Sequence, residues 1–137
     1  MTAPDEATLA ELARRARAAA SRAYCPYSRF PVGAAVLAAD GPAFDGCNVE
    51  NASYGLTCCA ERSAIFQMVG NGHTRLAAVV IYTPTAEPTA PCGACRQVIN
   101  EFGPDALVVS VCDGSAVQTA RLSQLLPGAF GPANLGA

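Results

Sequence analysis

Two short segments of the sequence place cysteines at the start of a predicted helix, residues 57–62 (Thr-Cys-Cys-Ala-Glu-Arg) and residues 91–97 (Pro-Cys-Gly-Ala-Cys-Arg-Gln). A thiol at a helix N-terminus favours its thiolate form, which is the form that binds metals. Cys92 and Cys95 are three residues apart, so one helical turn can direct both toward a single ion. A third cysteine from the first segment leaves one position open for water, which is typical of a catalytic zinc site. The one histidine, His73, follows the glycines that end the first helix and is poorly placed as a fourth ligand.

The first segment offers two candidates for the third ligand, Cys58 and Cys59. Helical geometry favours Cys58, because Cys58 and Glu61 are three residues apart and would share a face. Zinc deaminases, which this pattern resembles, instead have a glutamate two residues after the ligand and a later Pro-Cys-x-x-Cys. That spacing selects Cys59 and places Arg62 three residues along, where its charge would offset part of the charge of three thiolates. We therefore predict Cys59 as the third ligand and Cys58 as a packed thiol.

The rest of the chain alternates between helical and strand patterns, and these elements must position the cysteine segments. Residues 5–23 have the apolar spacing of an amphipathic helix that packs on a sheet. Short apolar runs between Gly, Pro and Asp turns predict strands. The predicted strands are residues 32–38, 43–48, 77–83, 106–112 and 117–120, and the other helical segments are residues 59–68, 93–102 and 121–126. We predict one α/β domain over residues 1–137, with three α/β/α layers and a mixed sheet of about five strands.

Composition and charge exclude several classes of protein. The 137 residues carry a net charge of −2, which argues against a duplex-binding module with a basic surface. No apolar run reaches the roughly 18 residues of a membrane span, and charged residues interrupt the segment where a signal core would lie. The seven cysteines are odd in number and clustered, which favours metal chemistry over a disulfide framework. We expect a soluble, cytoplasmic protein that binds neither nucleic acid nor membrane.

Beyond the cysteines, the chain resembles the small zinc-dependent cytidine deaminases of pyrimidine salvage over nearly its whole length. The matching segments are residues 26–35, 46–54, 59–62, 91–97 and 125–127, together with Phe130. The resemblance implies one Zn²⁺ per chain, held by Cys59, Cys92 and Cys95. It also implies hydrolysis of cytidine and 2′-deoxycytidine to uridine and 2′-deoxyuridine with release of ammonia. A zinc-bound hydroxide would attack C4 of the base, with Glu61 as the proton shuttle.

The same resemblance implies which residues contact the nucleoside. Asn48 and Glu50 would bind the ribose. They are two residues apart, so in an extended chain their side chains point to the same side. Phe30 would lie against the base, with a position in the apolar core as the alternative. The main-chain N–H of Ala60 would lie near the base carbonyl.

Two further pairs of residues carry expectations from this resemblance. Arg62 and Gln97 are expected beside the zinc ligands. Tyr54 and Phe130 are aromatic and lie in a loop and near a chain end, where they can reach a neighbouring subunit. The resemblance implies a homotetramer, and we expect its active sites to be shared between subunits. Local packing within one chain is the alternative for both aromatic residues. The low charged fraction, 15% of residues, supports an oligomer in general.

Three other functions share parts of this pattern. A nucleic-acid editing deaminase has the same zinc signature but needs a basic groove, which nine basic against eleven acidic residues do not favour. A deaminase of a nucleoside antibiotic such as blasticidin S shares the Cys-Ala-Glu and Pro-Cys-x-x-Cys segments, whereas residues 48–51 favour a plain nucleoside. A non-catalytic zinc-binding interaction module would have four protein ligands and no activity.

Overall fold

The computed structural model describes residues 3–137 and begins with helix α1, Glu6–Ala20. Asp5 caps this helix, because its Oδ1 accepts a hydrogen bond of 2.8 Å from the main-chain N–H of Thr8. The helix ends three residues before the predicted position. The N–H groups of residues 21–23 bond to carbonyl groups three residues earlier, which forms a tighter turn before the chain leaves the helix.

Five strands form one mixed sheet, which confirms the predicted fold class. The strands are β1 (Gly33–Ala38), β2 (Ala43–Cys47), β3 (Leu76–Tyr82), β4 (Leu107–Val111) and β5 (Gln118–Arg121). Their order across the sheet is β2-β1-β3-β4-β5. Strands β3 and β4 are parallel, and the other neighbouring strands are antiparallel. The parallel pair requires a crossover connection, which the second cysteine segment and its helix supply.

Helices cover both faces of the sheet and form the outer layers. Helix α1 packs on one face, in an apolar cluster that includes Leu12 and Val80. Helices α2 (Ala60–Gly70) and α3 (Gly93–Phe102) pack on the other face, in a cluster that includes Val79. Neighbouring residues of β3 point to opposite faces of the sheet, so this one strand contributes to both clusters.

Short turns complete the chain. They are two 3-10 turns, Tyr54–Leu56 and Pro132–Leu135, and the helical turn α4, Leu122–Leu125. The sequence patterns predicted α4 and did not predict the 3-10 turns. None of the helices within residues 3–137 is long and apolar enough to cross a membrane.

The fold brings both cysteine segments to one end of the sheet. Residues from the start of α2, the end of β3 and the start of α3 line a single cavity, among them Ala60, Ile81 and Cys92. The carboxyl end of β3 therefore lies beside the N-termini of two helices, and these positions carry the predicted site.

Candidate functional site

The two cysteine segments meet where α2 and α3 begin. Cys59 is the N-cap residue of α2, Cys92 is the N-cap residue of α3, and Cys95 lies in the first turn of α3. The three Sγ atoms lie within 4.8 Å of one another, and those of Cys92 and Cys95 are 3.4 Å apart. Three convergent thiol groups at two helix N-termini fit one zinc ion and leave a coordination position for another ligand. The structure thus brings together the three predicted ligands.

Cys58 lies outside this cluster. It forms an isolated bridge with Val49, in which the N–H of each residue donates to the carbonyl of the other at 2.9 Å. Residue 58 is therefore extended, and successive side chains of an extended chain point in opposite directions. The Sγ of Cys58 lies 3.7 Å from the Oγ of Ser63. The helical geometry that favoured Cys58 does not apply, because α2 begins only at Ala60.

Arg62 contacts the cluster directly. Its Nη2 lies 3.1 Å from the Sγ of Cys59. A hydrogen bond with Cys95 and then the contact with Arg62 lower the pKa of the Cys59 thiol to about 5. The pKa of Cys95 is raised, first by its hydrogen bond with Cys59 and then by burial. Cys59 is therefore the thiol of this pair that ionises first.

Glu61 lies in the first turn of α2, next to the cluster, and is only 5% exposed. Burial raises the pKa of its carboxyl group, and the negative charge of Cys59 raises it further. Glu61 lines the same cavity as Cys59 and Cys92. A buried carboxyl group that faces a cavity beside a metal-binding cluster is suited to exchange protons with a bound molecule.

The cavity in front of the cluster has a volume of about 260 Å³. This volume lies just below the usual range for ligand pockets, about 300–1,000 Å³, and suits a small molecule. Phe30 and Ala60, both predicted to contact the base, line it. Ala60 is the first residue of α2, so the helix does not use its main-chain N–H, which can bind an acceptor. Phe30 is 38% exposed, which excludes the alternative of a buried core position.

Asn48, predicted to bind the ribose, lines the cavity and is buried. Its Oδ1 accepts a hydrogen bond of 2.9 Å from the N–H of Val32, and its Nδ2 donates one of 2.8 Å to the carbonyl of Phe30. The side-chain amide has two donor hydrogens and two acceptor lone pairs, so positions remain for a ligand. Asn48 therefore fixes the position of residues 30 and 32 and also faces the cavity itself.

Glu50 also lines the cavity and holds the neighbouring turn. Its carboxylate accepts hydrogen bonds from the N–H groups of Tyr27 and Ser28, at 2.9 Å and 3.1 Å, and from the Ser28 hydroxyl. Hydrogen bonding from Ser28 lowers the pKa of Glu50, which favours the carboxylate form. Arg29, which follows Ser28, has a φ of 57°, which is unusual for a residue other than glycine. This strained residue directly precedes Phe30 at the cavity.

Three predicted site residues, Tyr54, Phe130 and Gln97, do not line this cavity, although Tyr54 lines an adjoining one that shares Glu50 and Thr57 with it. Tyr54 and Phe130 are 75% and 58% exposed and are not among the residues that line the cavity within one chain over residues 3–137. The Nε2 of Gln97 donates to the carbonyl of Phe130 at 2.8 Å, so Gln97 anchors the C-terminal segment. The position of Gln97 beside the zinc ligands stays a prediction.

Three threonines that the sequence patterns did not predict also line the cavity, Thr57, Thr83 and Thr89. Thr83 follows the last residue of β3, and Thr89 lies in the Pro- and Thr-rich loop before Cys92. Polar residues at the end of a buried strand, in a loop that leads to a metal ligand, are the signal that would have identified Thr83 and Thr89.

Comparisons with known proteins agree with the geometry of the site. Residues 7–111 match the family model described as the cytidine and deoxycytidylate deaminase zinc-binding region. The chain is 43% identical over 126 residues to a cytidine deaminase of Sporosarcina psychrophila, which covers 91% of this chain and 93% of that protein. It is 48% identical over 120 residues to a cytidine deaminase of Halalkalibacterium halodurans, which covers 87% of this chain and 91% of that protein.

Solved structures show the same similarity. A cytidine deaminase from Burkholderia pseudomallei superposes with a TM-score of 0.85 at 48% identity, over 88% of this chain and 98% of that chain. A cytidine deaminase from Mycobacterium tuberculosis superposes with a TM-score of 0.78 at 42% identity, over 93% of this chain and 99% of that chain. Because the matched zinc-binding region also includes all three clustered cysteines, this chain belongs to the cytidine deaminase family.

Proposed function

We propose that this protein converts cytidine and 2′-deoxycytidine to uridine and 2′-deoxyuridine, with water as the second substrate and ammonia as the second product. The observation that carries the proposal is the convergence of three thiol groups and the buried carboxyl group of Glu61 on one small cavity. The relatives described above are named cytidine deaminases, which supports the same substrate class.

Cys59, Cys92 and Cys95 would hold one zinc ion, since their Sγ atoms are close enough to share it. When bound, zinc supplies a Lewis acid that lowers the pKa of a water ligand and so provides a nucleophile at neutral pH. Arg62 donates to the Cys59 thiolate and offsets part of the negative charge that three thiolates bring.

Glu61 carries the protons of the reaction. Its carboxylate accepts a proton from the attacking water and gives it to N3 of the base as the oxygen bonds to C4. It then moves the second proton of the water from the new hydroxyl group to the amino group. The C4–N bond breaks, ammonia leaves, and the base becomes a 4-oxo pyrimidine. Burial of Glu61 limits exchange of these protons with bulk water.

The other cavity residues orient the nucleoside. The N–H of Ala60 donates to the base carbonyl, and Phe30 packs against the ring. Asn48 and Glu50 bind the sugar hydroxyl groups with the hydrogen-bonding positions that residues 27–32 leave free. A base without a sugar would leave these polar groups unpaired, which disfavours its binding.

We further propose a homotetramer in which neighbouring subunits complete each active site. Tyr54, Leu56 and Phe130 are large apolar side chains with 75%, 70% and 58% exposure, and exposed apolar surface of this kind supports a subunit contact. We assign Tyr54 and Phe130 to the wall that a neighbour supplies. We also propose a role in pyrimidine salvage in the cytoplasm. The seven cysteines form no disulfide within residues 3–137, which supports a reducing compartment.

Ultraviolet spectroscopy of cytidine, 2′-deoxycytidine and cytosine mixed with the zinc-loaded protein tests the activity. We expect a spectral change for both nucleosides and one ammonia for each nucleoside consumed. Glu61→Gln should abolish most of the turnover while the zinc content stays unchanged, because Gln cannot carry the proton. Glu101→Gln, an exposed position on α3, is the matched control and should retain full turnover. Near-normal turnover by Glu61→Gln would overturn the assigned mechanism.

The same assay separates the alternatives. An interaction module would bind zinc through four protein ligands and release no ammonia from any of these substrates, and the three-thiol cluster does not favour it. A deaminase of a nucleoside antibiotic would release ammonia from blasticidin S and leave cytidine unchanged.

A further inference from the structure

Three threonine hydroxyl groups form a chain beside the cavity. The Oγ1 of Thr83 lies 2.7 Å from the Oγ1 of Thr85 and 3.1 Å from the Oγ1 of Thr89. Thr83 and Thr89 line the cavity, whereas Thr85 is not among the lining residues. Thr83 is 1% exposed, and its two threonine neighbours satisfy its hydroxyl group.

The direction of each hydrogen bond in this row of threonine hydroxyl groups follows from Thr85, the group farthest from the cavity. The Oγ1 of Thr85 donates its one hydrogen to the carbonyl of Glu87 at 2.6 Å. Thr85 can therefore only accept from Thr83, and Thr83 uses its own hydrogen in that bond. Thr83 must then accept from Thr89. The hydroxyl hydrogen of Thr89 is committed to Thr83, and only its lone pairs remain for a bound molecule.

The loop that carries these groups is anchored on the segment after β4. The N–H of Asp113 donates to the carbonyl of Thr85 at 2.9 Å, and the Sγ of Cys112 lies 3.4 Å from the carbonyl oxygen of Ala86. A Cβ atom at Gly114 would lie 2.2 Å from the same oxygen, so the two segments pack closely. The orientation of the hydroxyl chain is therefore built into the fold.

We propose that Thr89 is a specificity-determining residue that presents only hydrogen-bond acceptors to the cavity and so favours a 4-amino pyrimidine over a 4-oxo pyrimidine. This inference rests on the proposed function. Thr89 and Cys92 line the same small cavity, so a base whose reacting carbon faces the thiol cluster also meets Thr89. An amino group at that carbon donates to the Oγ1 of Thr89, whereas a carbonyl group brings a second acceptor against it. The substrate is therefore held more tightly than the product.

The dissociation constants of cytidine and uridine, measured by calorimetry, test this inference. All variants are made in zinc-loaded Glu61→Gln protein, so that cytidine is not consumed during the measurement. Thr89→Val removes the hydroxyl group at nearly constant shape. It should weaken cytidine binding by about threefold to tenfold, the effect of one neutral hydrogen bond, while uridine binds as before or more tightly. Thr89→Ser keeps the hydroxyl group and should keep the ratio of the two dissociation constants.

Thr85→Val tests the direction of the hydrogen bonds between the threonine hydroxyl groups without changing a residue that lines the cavity. Without an acceptor on Thr85, the hydrogen of Thr83 turns to Thr89, and Thr89 becomes free to donate into the cavity. Uridine should then bind more tightly relative to cytidine, by about threefold to tenfold. The melting temperature and zinc content of each variant control for folding.

The inference is overturned if Thr89→Val changes both dissociation constants by the same factor, or if folded Thr85→Val leaves their ratio unchanged. Failure of the proposed function has a different signature. The wild-type chain would then release no ammonia from cytidine, whatever the binding ratios of the threonine variants.

Discussion

The side-chain amide of Asn48 bonds to the main chain on both sides of Pro31: its Nδ2 donates to the carbonyl of Phe30 at 2.8 Å, and its Oδ1 accepts from the N–H of Val32 at 2.9 Å. One buried side chain therefore holds the segment that carries Phe30 to the cavity. A residue predicted to bind the sugar also fixes the position of the residue predicted to contact the base, so its substitution affects stability as well as binding.

Asn48→Ala should lower the free energy of unfolding by about 1–3 kcal/mol, because it leaves two main-chain groups without their partner. Thermal unfolding of the apo protein measures this loss separately from substrate binding. Asn134→Ala is the control, since Asn134 makes one exposed hydrogen bond, to the N–H of Gly131 at 2.8 Å. We expect a loss below about 1 kcal/mol for the control. Equal losses in the two variants would contradict a structural role for Asn48.

Gly33→Ala should destabilise the fold strongly, because helix α1 lies directly against β1 at this position. A Cβ atom on Gly33 would lie 1.8 Å from the carbonyl oxygen of Ala16 and 2.7 Å from the main-chain nitrogen of Ala20. Both are backbone atoms, so the helix must move, and we expect a loss of about 3 kcal/mol or more in unfolding experiments.

Gly70→Ala is the matched control for Gly33→Ala, since nothing lies within 4 Å of a Cβ atom at this helical position. Alanine is a better helix former than glycine, so this variant should be as stable as the wild type or slightly more stable. Similar melting temperatures for the two variants would show that α1 can shift freely on the sheet.

Arg62→Gln should weaken zinc binding by about tenfold to a hundredfold, because Arg62 donates to the Cys59 thiolate at 3.1 Å. Competition with a chromophoric chelator measures the affinity without reference to turnover. Arg14→Gln removes an equal charge from an exposed pair with Glu11 and should leave zinc affinity unchanged. Zinc retention by Arg62→Gln equal to that of the control would leave Arg62 without a role at the cluster.

Free cytosine should be a poor substrate compared with cytidine, by about a hundredfold or more in kcat/KM, because Asn48 and Glu50 would be left without the sugar. Initial rates of ammonia release with the two compounds at equal concentration provide the measurement. Equal efficiency with cytosine and cytidine would remove the sugar-binding role from both residues.

Mixing Glu61→Ala chains with Phe130→Ala chains should restore activity if Phe130 completes the site of a neighbouring subunit. After subunit exchange, some sites combine an intact Glu61 with an intact Phe130, so turnover should exceed the average of the two parents. A mixture of Glu61→Ala and Cys92→Ser is the control without rescue, because both changes lie in the site of one chain. Monomeric sedimentation, or exchange without rescue, would place Phe130 outside a neighbour's site.

Local patterns predicted most of the secondary structure, and the differences arise where distant segments pair. The pattern of α1 continues to residue 23, yet the helix ends at Ala20. Tyr24 then accepts from the N–H of Glu50 at 2.8 Å and donates to the carbonyl of Asn48 at 3.0 Å. These bonds require an extended chain at Tyr24, so a contact some 25 residues away in sequence ends the helix, and apolar periodicity does not report such contacts.

The sequence by itself determined the candidate chemistry of the site. Cys92 and Cys95 lie within one helical turn, and the resemblance to zinc deaminases selected Cys59, two residues before Glu61. Only the tertiary structure decided which other side chains face the cavity and which of their hydrogen-bonding positions remain free. Examples are the amide of Asn48, bonded to residues 30 and 32, and the hydroxyl group of Thr89, committed to Thr83. The physical reason is that a polar side chain can offer a ligand only those donor hydrogens and lone pairs that its neighbours in the fold leave unpaired. These neighbours come from segments that are far apart in the sequence, so local patterns do not identify them.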